Sequence, residues 1–280
     1  MSKYVCTYKK VAFDWLCNHR QPMHVILSSG GIRSTWFLNN IFISDACKFA
    51  DNKDIVVLHF GFIDKTANYL HMQMEYFAEH SKQSNSPIYL VIIKPNVARN
   101  ILLTPNVIVN QIKTHLTKLV NNNPNTVIHL ASDKINGLKV NIGKLAGCKG
   151  YPTINANNYS KERMFIDLAT YYQELAMMIS VCIDDTTEHQ FCGKCEECYQ
   201  LKRLVENRYE YDGYENPEFA CNVNDIYNVW FGCDIPRKMK TKKAQLSEIR
   251  QLLMFPAVMS ALNQEYDGFR STLSYSEGGK

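Results

Sequence analysis

The chain has 280 residues, enough for one large core, and 46% apolar against 21% charged residues describes an ordinary globule rather than a disordered or fibrous chain. No uninterrupted apolar run approaches the roughly 18 residues a membrane-spanning helix needs, and a net charge of +4 is too small to argue for nucleic acid. Ten cysteines in so long a chain, with no secretory leader, point to a reducing compartment, the cytoplasm, rather than a disulfide scaffold.

Residues 1–22, with Phe13 and Trp15, read as an extension before the first strand. His24–Leu27 is a short apolar run that ends in Ser28–Gly31, and an amphipathic helix follows from Ser34 to about Phe42. Ile55–His59 is a second strand closed by Phe60 and Gly61. The stretch Thr66–His80 then carries Tyr69, Leu70, Met72, Tyr76 and Phe77 at helical spacing. Pro87–Ile93 is a third strand, Val107–Val120 a helix stopped before Pro124, and Thr126–Ala131 a fourth strand. Pro152–Asn155 is a short fifth candidate, before a helix capped by Ser160 and running to about Ile179. Continuous apolar runs suit strands buried on both faces. Strands alternating with helices predict an α/β fold, an open parallel sheet with helices on both faces.

In such a sheet, ligands sit at the carboxyl ends of the strands. Here the first strand ends in Ser29, Gly30, Gly31, Ile32, Arg33, Ser34 and Thr35, then a helix. The glycines permit a tight turn with close backbone approach. The helix start offers free N–H groups, and the hydroxyls add donors, so the segment suits an anion such as a pyrophosphate. It is neither a Walker loop nor a G-x-G-x-x-G turn. Further along, Cys182, Cys192, Cys195 and Cys198 form a C-x9-C-x2-C-x2-C cluster. Two successive C-x2-C steps converge three thiolates on one ion and a loop returns the fourth. That donor set is a closed, structural Zn²⁺ site. The remaining cysteines lack ligand spacing, and His189 within the loop is an extra donor that four thiolates make unnecessary.

Turn and cluster together resemble the PP-loop ATP pyrophosphatases, whose HUP-like first strand ends in S-G-G-x-D-S, and within them the QueC-like 7-cyano-7-deazaguanine synthases. Those enzymes carry a Cys, a short loop and C-G-x-C-x-x-C as a structural zinc site, matched here by Cys182 and Cys192–Cys198, with Lys202 and Arg203 following. Leu58–Gly61 resembles the second-strand end, Asp133 an Asp of the substrate region, and Ser160–Lys161 the pair opening the helix before the zinc site. The resemblance spans roughly residues 23–204 in consistent order. It implies an α/β domain over 23–180, a zinc-binding segment over 181–204 and a mainly helical extension over 205–280 that wraps the core or docks a second subunit or a protein partner.

The implied activity is ATP-dependent ligation. The carboxylate of 7-carboxy-7-deazaguanine is adenylated with loss of pyrophosphate, and an amine then expels AMP. The acceptor is ammonia in queuosine biosynthesis, giving amide and nitrile, or a protein amine in an antiphage defence setting. The resemblance assigns Ser29, Gly30, Gly31, Arg33, Ser34 and Thr35 to ATP phosphates and Lys161 to developing negative charge. It assigns Asp133 to Mg²⁺ or to the deazaguanine edge. Arg33 stands where the family has Asp, which leaves two readings open: a guanidinium that binds phosphate directly, or a chain that binds nucleotide or a partner without turnover. Thr104–Asn106 is a poor counterpart of the family's Pro-Gly-Arg-Asn, and the Asp-Cys-Arg expected after Gly150–Pro152 is missing. The basic run Pro236–Lys243 lacks interleaved aromatics, so it reads as a solvated loop and direct nucleic-acid binding is not expected.

Overall fold

A computed structural model describes residues 8–44, 54–61, 64–81, 88–94, 105–131, 134–135, 138–139, 159–182, 184, 187–211 and 216–236. The expected strand at Pro152–Asn155, Asp133, the basic run after Pro236 and the rest of the expected helical extension, residues 237–280, lie outside them. Strands β1 (Tyr8–Lys10), β2 (Met23–Leu27), β3 (Asp54–Phe60), β4 (Ile88–Ile93) and β5 (Val127–Leu130) form one sheet in the order β1-β4-β3-β2-β5. Every pairing in it is parallel. A short antiparallel pair, β6 (Lys134–Ile135) and β7 (Leu138–Lys139), follows β5.

Side-chain alternation divides the core between the two faces of the sheet. Val25 and Leu27 of β2, Val56 and Leu58 of β3, and Ile128 and Leu130 of β5 meet α1 (Phe13–Asn18) and α4 (Pro105–Asn122), through Leu16, Leu116 and Leu119. Ile26, Ile55, Val57 and Leu90 point the other way. They meet α2 (Ile32–Phe42), α3 (Asp64–His80), α5 (Lys161–Tyr171), α6 (Gln173–Met177), α7 (Glu196–Tyr211) and α8 (Pro217–Phe231). The distribution follows from handedness. The chain steps outward from β2 to β3 to β4 over one face, then returns past β2 to β5, and a right-handed return puts α4 on the opposite face. Central β2 is therefore buried along its whole length, as its unbroken apolar run predicts.

The edge strand β1 falls in the segment read as an extension. Too short and polar to announce itself, it pairs with β4 in the register Tyr8↔Ile88, and the following Val11 amide donates to Leu90 O at 2.9 Å. The helix expected to run from Ser160 to about Ile179 is interrupted at Tyr172, whose φ of −142° and ψ of 52° leave the helical region. The cysteine segment and α8 join the larger core cluster. Trp230 is fully buried there, with Phe191 edge-on at 5.2 Å and Phe165 at 6.0 Å. Asn216 caps α8 by accepting from the Phe219 amide at 3.1 Å, Pro217 opens it, and Gly232 at φ +71° ends it. Among the described residues no helix is long and apolar enough to cross a membrane. Truncating Trp230 to Ala should lower stability by about 3–5 kcal/mol through cavity formation, measurable as a reduced midpoint in denaturant unfolding followed by circular dichroism.

Candidate metal centre and phosphate-binding turn

Strand order reverses between β2 and β5, and the carboxyl ends of strands at such a reversal are the usual ligand position in parallel sheets. The turn that follows β2 lies there. Gly30, at φ +78°, adopts a backbone that a side chain would strain, and Gly31 caps α2 in extended geometry. The amides of Gly30 and Gly31 donate to Ser28 Oγ and Ser29 Oγ, each at 3.3 Å. Ser29 Oγ and Ser34 Oγ are 3.2 Å apart, and Ser34 Oγ also donates to Gly31 O at 3.0 Å. Thr35 faces inward: its hydroxyl lies 3.4 Å from Gly30 O and 3.4 Å from Gln73 Oε1. Ser29 and Arg33 are the accessible polar side chains at the mouth, and Ser34 and Thr35 are buried behind them. The structure thus gathers all the residues expected at the turn, with Thr35 as an internal brace.

The four cysteine sulfurs converge so that all lie within 4.8 Å of one another. Tetrahedral thiolate coordination of zinc at 2.3 Å requires sulfur separations of about 3.8 Å, so a small inward movement completes the shell. The backbone is already arranged for anionic sulfur. Amides of Asp184 and Cys192 donate to Cys182 Sγ at 3.5 and 3.3 Å, and those of Lys194 and Cys195 to Cys192 Sγ at 3.4 and 3.3 Å. Gly193 at φ +68° makes this tight return possible.

Burial pushes the Cys192 thiol up, but the Cys195 and Lys194 amides and the neighbouring thiols outweigh it and bring it to about 7. Burial raises the Cys198 thiol, and its contacts with Cys195 and Cys182 raise it further. One thiol here ionises readily and the last resists, because like charges at this distance repel. A divalent cation resolves that conflict, so the donor set can hold a metal ion with no position left open. His189 is not part of the group. Its ring sits against Gly232, where an added Cβ would come within 2.2 Å of His189 Cε1.

The turn and the cluster are one assembly. Gly30 O accepts from the Ser180 amide at 3.0 Å, and Ser180 precedes Cys182 by two residues. A Cβ on Gly30 would stand 3.1 Å from Ser180 O, and one on Gly31 would stand 3.0 Å from Val181 Cγ1, so glycine at both positions is set by this packing. Buried side-chain amides satisfy the irregular backbone between. Gln73 Nε2 donates to Met178 O at 2.8 Å, while Gln190 Nε2 donates to Met177 O at 2.9 Å and also to Ile179 O. Lys65 Nζ reaches Thr187 Oγ1 at 2.8 Å and the His189 carbonyl. Lys161 Nζ lies 4.0 Å from Glu197 Oε2 on the cysteine helix.

The sequence reading missed Gln73, Lys65 and Gln190. Gln73 was detectable as a polar interruption of the apolar stripe Leu70, Met74 and Phe77; the other two carry no pattern. His59 proves to be a buried residue whose Nδ1 lies 2.8 Å from Ser28 O, which holds the end of β2 beside the turn.

The chain matches no family model, no curated protein and no solved structure.

Replacing Cys195 with Ser should release the metal, read as loss of zinc stoichiometry by atomic emission; full retention would contradict the site. Burial lowers the His59 pKa, against the raising effect of its bond to Ser28. A histidine so depressed stabilises the fold fully above its usual value near 6.5 and less as pH falls below it, by up to about 1.4 kcal/mol per pH unit. Unfolding free energy should therefore drop between about pH 7 and pH 5. His59→Asn, which keeps a donor for Ser28 O, should show a shallower drop.

Proposed function

We propose that the chain is a divergent, QueC-like PP-loop enzyme that uses ATP to adenylate the carboxylate of a 7-deazaguanine and passes the acyl group to an amine. The observation that carries this reading is the Ser28–Thr35 turn, a glycine-bent cradle at the strand-order reversal of a parallel sheet, bonded to the segment that opens a four-cysteine metal site. The order β4-β3-β2-β5 with the turn after β2 supports a HUP-like assignment, and the shared core supports a zinc site that closes the nucleotide domain. Nothing in the core of the cysteine site is free for substrate, so zinc supplies structure there.

In this reading ATP phosphates lie against the outward amides of the turn and the start of α2. No acidic residue occupies the first turn of α2, while Arg33 does. A cation at a helix N-terminus opposes the helix dipole by about 0.3–1 kcal/mol, and a bound phosphate reverses that penalty. Mg²⁺ arriving with ATP would neutralise the remaining phosphate charge. A carboxylate oxygen of the deazaguanine attacks the α-phosphorus, a P–O bond forms, and the bond to the β-phosphate breaks to release pyrophosphate. The amine nitrogen then attacks the acyl carbon, loses a proton, and AMP departs with the former carboxylate oxygen. The protein's task is positioning and charge neutralisation. Lys161 is assigned to the developing charge, and Asp133 to Mg²⁺ or the deazaguanine edge. The acceptor is ammonia or a protein amine, and residues 205–280 are the assigned docking segment for a protein partner or second subunit.

Arg33 also favours a second reading, a noncatalytic protein of the same fold that binds nucleotide or a partner. Incubating the metal-loaded chain with Mg·ATP, with and without 7-carboxy-7-deazaguanine, separates the two. Substrate-dependent AMP and pyrophosphate release is the expected result, with Arg33→Asp reducing it about 100-fold. A gain on Arg33→Asp would identify a decayed turn, and no AMP from folded, zinc-bound protein would establish the noncatalytic reading.

A further inference from the structure

The orientation of one peptide plane decides what the turn can bind. The Gly30–Gly31 peptide is trans and planar, so its carbonyl and its N–H point in opposite directions. Gly30 O is drawn inward by two N–H donors, the Ser180 amide at 3.0 Å and Gln73 Nε2 at 3.5 Å, and Thr35 Oγ1 lies 3.4 Å from it. The Gly31 N–H therefore faces the mouth, where its acceptor is Ser29 Oγ at a long 3.3 Å. So weak a bond exchanges readily for a phosphate oxygen, which forms a shorter, charge-assisted one.

Gln73 is fully buried and uses both ends of its amide on this arrangement. Oε1 lies 3.4 Å from Thr35 Oγ1 on α2, and Nε2 donates to Met178 O at 2.8 Å while reaching Gly30 O. It thereby joins α3 to α2 and to the backbone that runs into Cys182. Ser180 lies on that same backbone. A metal that fixes Cys182 restrains Val181 and Ser180, and so restrains the inward pull on Gly30 O.

We infer that Gln73 is a positioning residue which, with the Ser180 amide, couples metal occupancy of the four-cysteine site to the donor geometry of the turn; its consequence for ligand binding rests on the nucleotide reading proposed above. Where ATP binds the turn, metal and ATP tighten each other by the same factor, since coupling free energy is reciprocal. No step of the proposed chemistry requires Gln73 to touch a substrate.

The test uses the full chain as wild type and as Gln73→Met, which keeps the side chain's length and removes its amide. Amide exchange over residues 29–35 is measured first, with zinc bound and after partial chelation, without nucleotide. Zinc should slow exchange in the wild type by about 10-fold, and in Gln73→Met, still holding zinc, the effect should vanish. Equal exchange with and without zinc in the wild type, or an undiminished effect in Gln73→Met, overturns the inference. Gln73→Glu, which retains Oε1 for Thr35 but has no donor for Met178 O or Gly30 O, should lose the effect as Gln73→Met does, whereas a merely structural role would change melting temperature and leave the zinc effect intact. Zinc affinity is then measured by chelator competition with and without Mg·ATP. About 10-fold tightening by ATP in the wild type, absent in Gln73→Met, supports the coupling at the ligand level. Exchange coupling without any ATP binding would remove the nucleotide reading and support the metal-to-turn coupling alone; ATP binding without exchange coupling would do the reverse.

Discussion

The bond from the Ser180 amide to Gly30 O, 3.0 Å long, joins the glycine turn after β2 to the segment that opens the four-cysteine group. Residues 28–35 form the turn at the reversal of strand order, and residues 180–198 supply the sulfur ligands. Residues 28–31 and the described residues of 180–195 lie outside helix and strand, and each stretch contains backbone groups that a helix or sheet would have satisfied internally. They satisfy each other instead. Gly30 is set by its φ of +78°, and the approach of Ser180 and Val181 crowds a side chain at both glycines.

Burying irregular backbone is costly unless every carbonyl finds a donor. Among the described residues, the carbonyls of Met177, Met178, Ile179, Thr187 and His189 find donors on long side chains reaching in from elsewhere. Gln73 serves Met178, Gln190 serves Met177 and Ile179, and Lys65 serves Thr187 and His189. A metal ion held by Cys182, Cys192, Cys195 and Cys198 would add a further restraint, and the amides aimed at sulfur suit anionic thiolates. The end of α6 at Met177 belongs to the same design. A helix continuing to Ile179 would have kept the Ser180 amide within its own hydrogen-bond ladder, unavailable to Gly30.

Charge follows the same geometry. The start of α2 bears Arg33 rather than an acid, so its mouth is positive from both the helix dipole and the guanidinium. His59 is buried, which lowers its pKa, and one ring nitrogen is committed to Ser28 O. Arg33 is the cationic group at the start of α2, while His59 braces the end of β2 through Ser28 O.

Sequence alone determined the α/β class, the parallel sheet and the four-cysteine group, because each is written in local pattern. Buried central strands demand unbroken apolar runs, helices demand their period, and thiolate ligation demands close spacing. It also located the glycine turn after β2, whose bend needs a residue free of Cβ. The edge strand β1 was illegible, since three residues with only one side chain partly covered have no period to show. Only the tertiary structure decided that the turn and the cysteine segment touch, that Thr35 faces inward, and that Gln73 links both. Those facts depend on hydrogen bonds between residues separated by tens to more than a hundred positions, such as Gln73 to Met178 and Gly30 to Ser180. A single glutamine on an apolar helix face looks like an imperfection until folding supplies the carbonyls and the hydroxyl it was there to meet.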